Sequence, residues 1–77
     1  MTHLFRELDS VVLLRDLPEA QLCAGDLGAI MLAYERDAYE VEFVKASGAA
    51  QAVITLNGAD IRLLRDSDVL AARPPKP

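Results

Sequence analysis

Short apolar runs, each closed by turn-forming residues, set the pattern of this chain. Ser10-Val11-Val12-Leu13-Leu14 is β-branched at its start and too short for a helix, which predicts a first strand. It ends at Arg15-Asp16-Leu17-Pro18-Glu19, where Asp16 is placed to cap a single helical turn with Pro18 in that turn and Glu19 three positions after the cap. Gly25 and Gly28 then bracket Asp26-Leu27 as a tight turn into a second strand.

That strand, Leu27 to Tyr34, is apolar on both faces: strict alternation puts Ile30, Leu32 and Tyr34 on one and Leu27, Ala29, Met31 and Ala33 on the other. Glu35-Arg36-Asp37 forms a polar hairpin connection. The third strand is the clearest, because Tyr39, Val41 and Phe43 alternate with Glu40 and Glu42, the period of a sheet with one wet face. Lys45-Ala46-Ser47-Gly48 supplies another hairpin loop. A fourth strand, Gln51 to Leu56, sets Ala52, Ile54 and Leu56 against Gln51, Val53 and Thr55. Asn57-Gly58-Ala59-Asp60 reads as a capped single turn of 3₁₀ type, and Ile61-Arg62-Leu63-Leu64 as a short final strand.

Five short strands with turn chemistry between them predict an all-β protein, a small antiparallel barrel. Closure of a barrel would also remove exposed edges. Leu4, Phe5 and Leu8 recur at helical spacing and predict a brief N-terminal turn over one barrel mouth. Asp66 to Ala72 is expected to form a short helix capped by Asp66 or Ser67, and Arg73-Pro74-Pro75-Lys76-Pro77 an extended tail that cannot continue it.

Composition narrows the function classes. The chain has 77 residues, too few for more than one domain and enough for only a small core. A net charge of −4, from 8 basic and 12 acidic side chains, argues against a general nucleic-acid binder. Cys23 is the single cysteine, so no intrachain disulfide forms and a cytoplasmic location is expected. Met1 to Glu7 lacks the basic-then-apolar order of a signal peptide. The longest near-apolar stretch, Leu27 to Tyr34, falls far short of the roughly 20 residues of a membrane-spanning helix.

The residues also carry a resemblance. Phe5-Arg6-Glu7-Leu8-Asp9 followed by Val11-Val12-Leu13-Leu14-Arg15-Asp16-Leu17-Pro18-Glu19 resembles the opening of the short bacterial proteins of the domain of unknown function 4926 family. The likeness continues through Leu22, Ala24-Gly25-Asp26-Leu27-Gly28, Tyr39 to Phe43 and Ala52 to Leu56, up to about Leu64. No single piece is specific; their order and spacing together are. The resemblance implies an SH3-like barrel over residues 1–65, with 66–77 as a C-terminal extension. It implies no established activity and transfers no catalytic residue. Proteins similar to this are often small free-standing reading frames, some in mobile or toxin-linked gene neighbourhoods, which points to an accessory or inhibitory partner role. Leu32 departs from the family pattern, where a polar or charged residue is expected, and the stretch after Arg65 is additional.

Catalytic and metal chemistry find little support. His3 and Cys23 are the only imidazole and thiol, too few for a structural zinc site, and no Asp/Asn/Gly loop has the spacing of a calcium site. Cys23 reads as a packing residue rather than a nucleophile. Glu40 and Glu42 share a strand face roughly 7 Å apart, where an open surface gives neither the burial nor the apolar pocket that raises a general acid's pKa. Gly25-Asp26-Leu27-Gly28 lacks the lysine and the following helix of a phosphate loop. The tail Pro74-Pro75-Lys76-Pro77 has the loose form of a polyproline ligand and reads more simply as an unstructured end. No enzyme activity, cofactor, metal or membrane partner is expected.

The apolar surplus on strands two and four is the informative feature. Met31, Ala33 and Val53 compete with Ile30, Leu32 and Ile54 for one interior. An uncovered remainder marks a protein–protein interface, unless the termini cover it. The expectation is a non-catalytic interaction module that self-associates, a dimer favoured, with Met31, Leu32, Tyr34, Glu40, Glu42 and Val53 at the interface. The alternative is a heteromeric accessory, an antitoxin or immunity-type partner that meets a basic protein surface through Glu40, Glu42 and Asp37. A nucleic-acid accessory role would need a local basic patch at Arg62, Arg65 and Arg73.

Overall fold

The computed structural model describes residues 5–44 and 51–68. Strands β1 (Ser10–Leu13), β2 (Leu27–Tyr34), β3 (Ala38–Val44), β4 (Gln51–Asn57) and β5 (Ile61–Leu63) form one antiparallel sheet in the order β4-β3-β2-β1-β5. The chain is therefore all-β with the five strands expected, and the two short helical pieces among the described residues are the 3₁₀ turns Pro18–Ala20 and Gly58–Asp60. β2, β3 and β4 run as a meander, and Gly58–Asp60 carries the chain round so that β5 pairs with β1. Among the described residues no ladder joins β4 to β5, so both keep an outer edge.

One face of the sheet holds the core. Val11 and Leu13 of β1, Ile30 of β2, Tyr39, Val41 and Phe43 of β3, Leu56 of β4 and Ile61 of β5 are buried there, with Phe5, Leu17 and Leu22 from the loops. Ala33, Ala52 and Ile54 pack against this cluster half-buried. Each buried aliphatic or aromatic side chain of this size stabilises by about 1.5–3 kcal/mol, which so small a domain needs from nearly every one. The Phe5 ring meets Tyr39 edge-on with centroids 5.1 Å apart, so the N-terminal segment does contribute to the core.

β3 matches its sequence pattern, and β2 does not. The register slips between Ile30 and Leu32: Ile30 lies opposite Val41, Leu32 opposite Glu40 and Ala33 opposite Tyr39. Met31 is the extra residue of a β-bulge, which shifts the alternation by one. Ile30 and Ala33 therefore share the inner face, and Leu32 and Tyr34 turn outward rather than joining Ile30.

Several local expectations are corrected. Asp16 caps no helix; its carboxylate accepts the Ala24 N–H at 2.8 Å and braces the next loop, while Leu17 occupies the cap position of the 3₁₀ turn. Gly25 is a turn glycine with φ +98°, but Gly28 lies within β2, where a Cβ would come 2.8 Å from the Phe43 ring and Val41. Leu8 covers nothing: it has φ 73° and is 82% exposed, and its N–H bonds to the Ile30 carbonyl. Asp68 accepts the Arg65 N–H at 2.6 Å and holds Arg62. Leu4, the Lys45–Gly48 loop, the rest of the expected C-terminal helix and the proline-rich tail lie outside the described residues.

Candidate interaction surface

The outward side of β2, β3 and β4 gathers the residues singled out above. Across the ladder, Ala29, Glu42 and Val53 form one row and Leu32, Glu40 and Thr55 the next. Tyr34 follows beside Ala38. Met31, Leu32, Tyr34 and Val53 are 42–53% exposed, although the core beneath has its own side chains. Because β3 lies between β2 and β4, the two apolar groups are separated: Leu32 and Tyr34 flank one side of the half-buried Glu40 and Glu42, and Val53 the other. The surface is an acidic centre with apolar margins.

Glu40 is held in place. The Tyr34 hydroxyl donates to its Oε1 at 2.9 Å, and this hydrogen bond to a carboxylate raises the Tyr34 pKa. Asp37 does not belong to this acidic centre, because its carboxylate accepts the Tyr39 hydroxyl at 2.8 Å, behind the hairpin. Arg36 and Asp37 both have positive φ, which tightens the β2–β3 turn.

The two outer edges of the sheet are handled differently. A backbone bond from Ile30 N–H to the Asp9 carbonyl turns Ile30 towards β1, so Ala29 and Glu42 bond each other. Val41 and Phe43 then bond β4 through Ile54 and Ala52. The Gly58 N–H donating to the Asp37 carbonyl at 3.0 Å fixes the same phase independently. Val53 and Thr55 consequently aim their N–H and C=O groups at the open side of β4, and no described residue bonds them there. The next outward group, the Asn57 N–H, is taken by Asp60.

On β5 two of the four corresponding groups are occupied. The Ile61 N–H bonds the Gly58 carbonyl, and the Arg62 guanidinium donates to the Leu63 carbonyl at 3.1 Å. Arg62 also makes a two-pronged pair with Asp68, both arms 2.9 Å, which holds the Asp68 carboxyl down at about 2. Arg15 bonds Asp60 at 2.8 Å across the adjoining loop and lowers that carboxyl as well. Sequence reading missed both arginine pairs. The separation of Arg15 from Asp60 in the chain gives no local signal, whereas Arg62 and Asp68, six apart, gave a weak one.

Catalytic groups are not assembled among the described residues. Cys23 is exposed, and His3 lies outside them. No group of three or more His, Cys, Asp or Glu is placed to hold a metal ion among the described residues. No described helix is long and apolar enough to cross a membrane. The family model described as domain of unknown function DUF4926 matches residues 7–63. No curated protein and no solved structure matches the chain.

Proposed function

The chain belongs to the DUF4926 family, and on that premise we propose that it is a non-catalytic protein-interaction module of the cytoplasm, an SH3-like barrel that self-associates. The observation that carries this reading is the exposed apolar margin of the outer surface, Met31, Leu32 and Tyr34 on β2 and Val53 on β4. Such side chains gain by leaving water, at about 25 cal/mol per Å² of apolar area removed. The strand order, with β5 turned back onto β1, supports the barrel assignment.

Sedimentation equilibrium over a hundredfold dilution tests the reading. A dimer that falls to the monomer mass in Val53→Asp supports it; a wild-type chain that stays monomeric at every concentration refutes it. A second reading has support in Glu40 and Glu42, half-buried at the centre of the surface and in no ion pair among the described residues. A heteromeric partner with a basic face would bind there, and its affinity would fall with added salt.

A further inference from the structure

We propose that the free edge of β4 is a self-pairing site, on which β4 of a second copy docks antiparallel about a two-fold axis at Ile54. The inference rests on the self-association proposed above but, of its apolar margin, uses only Val53 of β4, edge to edge rather than face to face. A long open edge is a template for another strand, and proteins that do not use one blunt it with charge, proline, a bulge or a short strand. β4 has none of these: Gln51-Ala52-Val53-Ile54-Thr55-Leu56-Asn57 is seven residues with no charge, proline or glycine. Its ladder with β3 runs without a register slip.

The edge is complementary to itself. With the axis at Ile54, Val53 of each copy faces Thr55 of the other, and the backbone groups that lack partners in one copy meet their complements in the next. On the outer face, Val53 and Thr55 become cross-strand neighbours, a pairing of β-branched side chains that suits a sheet. On the inner face the two half-buried Ile54 side chains meet and complete each other's cover.

Charge permits this docking. The chain carries −4, yet the pairing strand is neutral; Asp60, at its Asn57 end, is paired with Arg15, and the acidic rows beyond are those of β3. Glu40 of one copy then lies three strand spacings, about 14 Å, from Glu42 of the other. That exceeds the screening length of about 8 Å at physiological salt. β5 is the poorer site, being three residues long with the Ile61 N–H and the Leu63 carbonyl already taken. The β2 margin, Met31, Leu32 and Tyr34, stays outside the contact.

The test combines mass with amide exchange on the full chain. At high concentration the wild-type mass doubles relative to high dilution. There the Val53 and Thr55 amides slow about tenfold when nine in ten chains are paired, while the Ile54 amide, already bonded to β3, is unchanged by dilution. Thr55→Pro removes an N–H that β3 does not use, so the folded monomer persists and the doubling is lost. Leu32→Asp keeps the dimer. Should Thr55→Pro fail to fold, Val53→Lys places a charge on the same edge, and the exchange measurement on the unaltered chain stands regardless. A dimer lost in Leu32→Asp but kept in Thr55→Pro overturns the edge geometry and leaves self-association intact. Val53 and Thr55 amides that exchange at one rate throughout a dilution that dissociates the dimer overturn it likewise. A chain monomeric at all concentrations removes self-association itself, and this geometry with it.

Discussion

β4 and β5 bound the same sheet, and the contrast between them separates what folding requires from what it leaves open. β5 is the weaker strand by length, three residues against seven. It is nevertheless the better defended, since Ile61 is buried in the core and two of its outward groups, the Ile61 N–H and the Leu63 carbonyl, have partners. β4 is long, pairs continuously with β3, and leaves Val53 and Thr55 facing outward with none. Short strands hold by anchoring, long ones by laddering. Only the first strategy uses part of the edge.

The largest effect expected from breaking that contrast is at the anchors themselves. Ile61→Ala, a truncation within the core, should cost about 2–4 kcal/mol of unfolding free energy, and Ile54→Ala, half-exposed on the open strand, less than half as much. Urea titrations with equal slopes would check the difference. Equal losses would mean that β4 is as firmly seated as β5.

The joint between the strands comes next. A Cβ on Gly58 would press into the Asp37 carboxylate, the group that accepts the Tyr39 hydroxyl. Gly58→Ala should therefore cost about 1–3 kcal/mol through overpacking and the disturbed hydrogen bond. Thermal melting reads it, and an unchanged midpoint would show that the turn has room to move.

A smaller effect is expected at the guard of the β5 edge. Arg62→Met removes the donor to the Leu63 carbonyl and the pair with Asp68 but keeps the apolar stem. The melting temperature should fall slightly. A fully unaltered melt would show that the arginine guards nothing.

Acid supplies the mildest perturbation. Asp60 and Asp68 have carboxyl pKa values depressed by Arg15 and Arg62, the latter to about 2. Depressed values favour the folded state above the unfolded carboxylate pKa of about 3.9 and lose that advantage as pH falls towards the folded value. Stability should thus decline between about pH 4 and pH 2. Asp60→Asn with Asp68→Asn should flatten that decline, as a pH series of melting curves would show.

Legibility along the chain followed how strictly polarity alternates. β3 was readable in full because Glu40 and Glu42 mark its wet side, and β4 because Gln51 and Thr55 do the same. β2 has no polar residue between Leu27 and Tyr34, so nothing in the sequence marks where the alternation slips, and Leu32 was assigned to the wrong side. Asp16 and Gly28 were misread for another reason. Each residue type suits a local turn, and each is used instead in a contact with a distant segment, Ala24 for one and Phe43 for the other. That Met31, Leu32, Tyr34 and Val53 share one outer surface follows from the bulge, and the bare edge of β4 from hydrogen-bond phase, neither of which composition records.

The bulge at Met31 carries a consequence for how the chain can vary in length. Elsewhere in a strand, gaining or losing one residue inverts every side chain beyond it and exchanges inside for outside. At Met31 one residue is already surplus to the ladder. Its deletion would leave Ile30 and Ala33 facing inward and Leu32 and Tyr34 outward, with a straighter strand. This is the one point in β2 where an indel would be silent to the core, so a natural variant shorter by one residue here would keep the same interior and differ in how strongly the sheet curls.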